Sequence, residues 1–408
     1  MIKQDESSCL GKIAVVGGCG HIGLPLAIAF CESGSQVIAI DKNEASVEKV
    51  ANGIFPFIEL YGEEKLSNVL KTDRFRVTTD ISAIDDCEFI IICVGTPVDE
   101  HLSPVPRIFL ELFEEIKPYL HEGQLIILRS TIFPGTTRLL ERQLKPFGVD
   151  LSFCPERIVQ GNAFQEIYSI PHIISGVSQQ SIERASHLFG KFGKVVIGDI
   201  EAAEFAKLFL NAYRYIQFAA TNEFFTIAND ANVDYSEVVR LMKTDYPRAE
   251  TLPRAGFSAG PCLVKDTLQL MSYSQNRFAM GMAAFQVNEG LAQYVVKEIS
   301  TRVTLSKSVI GLLGMAFKPG IDDIRSSLSY RVKKNLILKG AEVICADSNV
   351  TSDSTLLTIE EVVSRADVLI ICTPQNEFKN VNFLGKPVVD IWNFLGHGNL
   401  IEKAFNIK

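Results

Sequence analysis

The stretch GPCLVKD, residues 260–266, sets a cysteine, a lysine and an aspartate among small and apolar residues. Cys262 can act as a nucleophile, because a thiolate adds readily to an electrophilic carbon. It can equally be a small buried hydrophobe, the usual fate of a free cysteine. Lys265 and Asp266 would be unusual neighbours in a wholly apolar pocket. Asp266 follows the cysteine by four positions, so it can accept a proton beside it or sit as a favourable anion at a helix N-terminus. Upstream, Lys207 and Asn211 in EFAKLFLNAY are also four apart and share one face of a helix. Together they could hold a developing alkoxide and then a tetrahedral oxyanion. A solvated lysine and a packing amide are the ordinary reading of such a pair.

These residues need elements to position them. KIAVVG (12–17) is a short apolar run, followed by a glycine turn, a helical stretch and a second run, QVIAID: a βαβ unit. Further strand-like runs at 89–95, 124–130 and 151–156 alternate with helical patterns, which predicts a doubly wound parallel sheet. From Glu201 to about Ser300 the pattern is helical and long. Strands return at 308–314, 342–347, 367–373 and 387–392. The predicted fold is α/β: a Rossmann-like domain (1–200), a central helical segment that carries a dimer interface (201–303), and a smaller Rossmann-like domain (304–408).

GGCGHIG places Gly18, Gly20 and Gly23 in G-x-G-x-x-G register. Gly18 allows a tight turn, Gly20 lets backbone approach a pyrophosphate, and Gly23 lets the helix pack on the strand. His21 and Ile22 lie in the same loop, at the helix N-terminus that faces the phosphates. Asp41 ends the next strand, eighteen positions after Gly23, where a carboxylate can accept from both ribose hydroxyls. It would repel a 2′-phosphate, so NAD is expected, although Lys42 stands next to it. GLLGMAFKPG, in the second α/β region, has its glycines at the wrong spacing, which predicts a different ligand there.

Bulk properties exclude other classes. A chain of 408 residues exceeds one ordinary core. Its 47% hydrophobic and 22% charged residues suit a globular protein. No apolar run is long enough to span a membrane, and the first residues lack a signal pattern, so a cytoplasmic location is expected. The net charge of −8 argues against nucleic acid. Nine scattered cysteines without a CxxC pair suit reduced thiols, and six histidines without ligand spacing predict no metal.

Taken in order, GCGHIGLPLA, CVGTPVD, STIFPGTT, CPERIVQGNAFQE, EFAKLFLNAY with a later NE, GPCLVKD and GMAFKPGIDDIRSS resemble the nucleotide-sugar dehydrogenase family over almost the whole chain. That family includes UDP-glucose 6-dehydrogenase and the UDP-N-acetylhexosamine 6-dehydrogenases. The resemblance implies oxidation of the carbon-6 alcohol of a UDP-hexose to a carboxylate, with two NAD molecules used in succession. An aldehyde captured by Cys262 as a hemithioacetal could be oxidised to a thioester, which water then hydrolyses.

The same resemblance implies further roles. Lys207 and Asn211 hold the oxyanion, and Asp266 shares a water with Lys207 as proton acceptor. Glu156 places or activates the hydrolytic water, with Arg157 beside it at the substrate. Lys318 and Arg325, flanking PGIDDI, face the UDP-sugar, with Arg325 also at the cofactor; Phe257, Gly260 and Phe317 line the substrate. Thr96 and Thr131 bond the cofactor side. YPR (246–248) resembles an HPR element, so Arg248 reaches the partner subunit's substrate in a homodimer. A local salt bridge is the plain alternative for Asp322, Asp323 and Arg325.

Two features depart from the family pattern. The cysteine loop carries the lysine of the UDP-glucose branch, while YPR belongs to the other branch. On balance the chain is read as most like UDP-glucose 6-dehydrogenase, with the hexose left open. Trp392 stands where many members place an arginine near the substrate. The competing readings are a two-electron dehydrogenase of the hydroxy-acid or 6-phosphogluconate type, which needs no cysteine, and a non-catalytic nucleotide-sugar or NAD sensor.

Overall fold

A computed structural model describes residues 11–99, 101–257 and 260–406. Cys9, one of the nine cysteines read as reduced thiols, lies outside the described residues. The chain forms two compact units, one up to Leu210 and one from Asn211 onward.

The first unit is built on eight strands: β1 (Ile13–Val16), β2 (Val37–Ile40), β3 (Phe75–Thr78), β4 (Phe89–Ile92), β5 (Leu125–Leu128), β6 (Asp150–Phe153), β7 (His172–Gly176) and β8 (Val195–Ile197). Their order is β3-β2-β1-β4-β5-β6-β7-β8, the first six following the doubly wound dinucleotide-binding pattern. Ile13, Val15, Ile91 and Ile127 pack on one face with Phe30 and Phe189. Ala14, Val16, Ile90, Ile92 and Ile126 pack on the other with Phe113 and Leu140. Burial on both faces explains why these strands read as continuous apolar runs. The sheet departs from all-parallel at one place: β7 runs antiparallel to β6, with Ser152 opposite Gly176. The runs β3, β7 and β8 were not distinct in the sequence, because each carries polar or exposed positions, such as Ile197 at 61% exposure in β8.

A helix of 31 residues, Ile200–Asp230, runs through the boundary and spans about 46 Å. The second unit adds helices Pro261–Tyr273 and Ala279–Ser300, then β9 (Val309–Leu313), β10 (Glu342–Ala346), β11 (Val368–Ile371) and β12 (Val388–Val389). These four strands are all parallel, in the order β10-β9-β11-β12. Ile310, Leu312, Val368 and Ile370 meet Leu291, Val295 and Ile299 of the helical part in one core. Among the described residues no helix is long and apolar enough to cross a membrane.

Candidate active site

In the first unit, β1 delivers the chain into the glycine loop and the helix Gly23–Glu32. The left-handed turn falls on Gly17, at φ +81°, and not on Gly18 as the spacing suggested. Gly18 is constrained by packing instead: a Cβ there would lie 2.6 Å from the Val15 carbonyl and 2.8 Å from Ala39. Gly23 is held equally closely, since its Cβ would run into Gly17. At Gly20 the nearest atom to a Cβ is 3.4 Å away, so the side a ligand would approach is open. Ile22 stands at the N-cap, where no side chain caps the helix; Leu24 N donates to the Gly20 carbonyl at 3.0 Å and Pro25 has no N–H, so the Gly23 amide is the first-turn donor that suits an anion. Asp41 accepts from Cys19 N at 3.1 Å and from Asn43 N at 3.0 Å. Each oxygen retains an acceptor position that suits a ribose hydroxyl. Lys42 is exposed beside it. The residues present therefore fit a dinucleotide.

The other expected cofactor loops converge. Thr96 donates to the Thr131 carbonyl at 2.5 Å. Glu204, buried near the start of the long helix, accepts from Gly135 N, Thr137 N and the Thr137 hydroxyl at 2.6–3.0 Å. It thereby anchors the STIFPGTT turn, a role the sequence pattern did not reveal.

Beyond β6 lies the loop that carries Glu156 and Arg157. Glu156, only 7% exposed, pairs with the buried Arg129. Its Oε1 accepts from Arg157 N at 2.6 Å and Ile158 N at 3.0 Å. Arg157 donates to the Pro171 carbonyl, and burial pulls its guanidinium below the ordinary arginine range. Glu59 accepts from Gly161 N and Ala163 N at 2.8 and 2.7 Å. Gln160 reaches the His21 ring at 3.0 Å, and that ring packs on Phe57 with centroids 4.0 Å apart. The glutamate loop is thus joined to the glycine loop. Neither Arg129 nor Gln160 was anticipated. A lone arginine ending the apolar run QLIILRS was the available signal for the first.

Lys207, half-buried, lies on the long helix one turn before Asn211. In the second unit, Cys262 is exposed. It sits not in a loop, as expected, but in the first turn of Pro261–Tyr273, because Pro261 at N1 is preorganised for a helix start. Gly260, the N-cap, has φ +124°, and a Cβ there would come within 3.0 Å of the Phe317 ring. One turn on, Asp266 is fully buried. Its Oδ2 accepts from Asn211 Nδ2 at 2.6 Å, and its Oδ1 lies 3.4 Å from Lys265 Nζ. The thiol therefore sits at the surface, with the carboxylate beneath it in the interior.

Arg325 forks onto Asp323 at 2.6–3.1 Å, the local salt bridge that was the plain alternative. Asp323, then Cys262, hold its guanidinium above its ordinary range, which puts Arg325 within electrostatic reach of the thiol. Lys318 is half-buried next to Phe317. The Phe257 side chain is 2% exposed and spent on the core. Arg248 is exposed and lies 5.8 Å from the Tyr246 ring. Trp392 donates to the Cys372 carbonyl at 3.1 Å and packs on Gly256. Asp347, the counterpart of Asp41 in the second sheet, accepts from Met315 N at 2.7 Å, Ala316 N at 3.0 Å and Asn349 N at 3.1 Å. That carboxylate, 5% exposed, is occupied by its own loop, in contrast to the half-buried Asp41.

A doubly wound sheet with an open glycine loop and a strand-end aspartate defines an NAD-dependent dehydrogenase of the Rossmann class. Within that class the chain belongs to the UDP-glucose/GDP-mannose dehydrogenase family and is a nucleotide-sugar dehydrogenase. The family's NAD binding domain matches residues 11–193, its central domain 201–290 and its UDP binding domain 311–397. The chain is 32% identical over 391 residues to the UDP-N-acetyl-D-mannosamine dehydrogenase of Pyrococcus horikoshii, covering 91% of each chain. The solved structure of a Pyrococcus horikoshii UDP-D-ManNAc dehydrogenase superposes with a TM-score of 0.85 at 30% identity, again over 91% of each chain. The UDP-glucose dehydrogenase of Pyrobaculum islandicum superposes with a TM-score of 0.87, over 99% of this chain and 97% of that one. At 23% identity this likeness bears on the fold alone. The expectation of a chain most like UDP-glucose 6-dehydrogenase is corrected accordingly: the curated likeness is to UDP-N-acetyl-D-mannosamine dehydrogenases.

Proposed function

We propose that the chain oxidises the carbon-6 alcohol of a UDP-N-acetylhexosamine of the mannosamine type to the carboxylate, in two two-electron steps through Cys262. The observation that carries this reading is the exposed thiol in a helix first turn, one turn before a buried carboxylate bonded to Asn211. NAD, when bound at the glycine loop and Asp41, would supply the hydride acceptor for each oxidation. Asp266 takes the proton of the alcohol. Lys207 and Asn211 stabilise the negative oxygen that forms when the Cys262 thiolate adds to the aldehyde. The second oxidation leaves a thioester on Cys262, and Glu156 presents water to it. The net change consumes one water and two NAD and gives the carboxylate, two NADH and three protons. Arg325, Lys318 and Phe317 serve the UDP moiety. The helical segment 201–303 serves dimerisation, with Arg248 directed to the partner's site.

The test is an NADH assay over a panel of nucleotide sugars, beside Cys262→Ala. About two NADH per sugar with the wild type, and none of that turnover with the variant, is the expected result. One NADH per sugar, or an unaffected variant, hands the case to a two-electron dehydrogenase.

A further inference from the structure

The register of β4, β5 and β6 aligns Ile92, Leu128 and Phe153. The next residues, Cys93, Arg129 and Cys154, therefore form a row at the C-terminal edge of the sheet, where open α/β sheets place their ligands. Arg129 is 2% exposed. Its Nη2 pairs with Glu156 Oε2, while its Nε and Nη1 find no hydrogen-bond partner among the described residues. The guanidinium lies over the Phe189 ring at 4.6 Å.

Glu156 apart, the titratable groups that face it carry no negative charge near neutrality. Burial pushes the Cys93 and Cys154 thiols up to about 12. Burial, then Arg129 itself, pulls His172 down to about 4. Arg157 adds a second positive charge nearby. Burial lowers Arg129 only to about 10, so it stays cationic and Glu156 is its counter-charge. Removing one partner of such a pair strands the other as an uncompensated buried charge.

Glu156 has about four acceptor positions. Oε1 uses two on the Arg157 and Ile158 amides. Oε2 uses one on Arg129 and, among the described residues, keeps one. A carboxylate held by three donors is a fixed acceptor for one water.

We infer that Arg129 is a positioning residue for thioester hydrolysis: it fixes Glu156 so that the remaining Oε2 position orients the attacking water. This rests on the proposed Cys262 thioester. In the step, the water oxygen bonds to the acyl carbon and the C–S bond breaks, its electron pair leaving on Cys262 Sγ. One water proton goes to Sγ and one to solvent. Both oxidations precede this step and do not require Arg129.

The experiment compares wild type, Arg129→Met and Arg129→Lys by stopped-flow NADH formation, with acid-quench mass spectrometry of Cys262. The expected Arg129→Met enzyme releases about two NADH per site in a burst, then turns over about 100-fold more slowly with acyl-Cys262 accumulating. Its kcat/KM for the sugar is unchanged, so KM falls together with kcat. Hydroxylamine, which cleaves the thioester without a positioned water, restores turnover. Arg129→Lys, keeping the charge without the fork, recovers part of the rate and decides the matter should the methionine variant fail to fold. An equal loss of burst and turnover, a slow variant without acyl-Cys262, or unchanged hydrolysis in a folded variant overturns the inference. A wild type that yields one NADH and never shows an acyl species instead defeats the four-electron reading beneath it.

Discussion

Asn211 donates its side-chain amide to Oδ2 of Asp266 across 2.6 Å, at a carboxylate with no exposed surface. The other oxygen of Asp266 makes no hydrogen bond within the described residues, its neighbour being Lys265 Nζ at 3.4 Å. One good donor thus compensates much of the burial of a charge. Asn211→Ala should lower stability by about 2 kcal/mol, and Asn211→Asp, which faces one carboxylate with another, by about 3–5 kcal/mol. Denaturant unfolding at pH 7 measures both, and equal losses would contradict the charge argument.

Gly256 has φ +153°, and a Cβ on it would enter the Trp392 indole. Its amide is held by Asn222 Oδ1 at 2.9 Å, so the segment cannot simply move away. Gly256→Ala should cost about 1–3 kcal/mol. Adding Trp392→Leu should return part of it. A double-mutant cycle with strictly additive losses would show that the indole is not the obstacle.

Asp41 is placed for ribose hydroxyls while already holding Cys19 N. Asp41→Ala should raise the KM for NAD by at least about tenfold, or 1.4 kcal/mol, and narrow the preference for NAD over NADP. Steady-state kinetics with both cofactors give the answer, and an unchanged preference would remove Asp41 from the ribose.

His172, buried next to Arg129, is held down to about 4. As pH falls below about 6.5 the unfolded chain takes up this proton while the native state does not. Stability is therefore present above about 6.5 and lost toward 4, by about 2 kcal/mol between pH 7 and pH 5 from this group alone. His172→Gln should unfold with a shallower dependence on pH over that window. Parallel curves would mean His172 is not buried in its neutral form.

Arg248, if it serves the partner's site, allows complementation. Mixed and refolded Cys262→Ala and Arg248→Ala chains, each inactive alone, should recover about a quarter of wild-type activity, from one good site in each mixed dimer. No recovery would confine Arg248 to its own subunit.

The glycine loop and the apolar strands were legible because their constraints are local. Gly18, Gly20 and Gly23 stand at a fixed spacing, and strands buried on both faces leave unbroken apolar runs. The supports were not legible. Arg129 meets Glu156 from 27 positions away, and Glu204 caps a turn some 67 positions upstream. Such pairs depend on which strand lies beside which, and no residue spacing records that. Cys262 was found as a residue but misjudged in setting, because GFSAG reads as loop while Pro261 already starts the helix.

Among the described cysteines Cys262 alone is exposed. Burial, the largest cause in each case, raises Cys19, Cys87, Cys93, Cys154 and Cys345 to about 11 or 12 and lifts Cys372 well above the ordinary thiol range. An alkylating reagent or a peroxide therefore meets one target first. The accessibility that opens this sulfur to a sugar also leaves a resting molecule open to wear. A bound sugar would act as its shield, and a single fluorescent or electrophilic tag could be set on this chain without engineering any other thiol away.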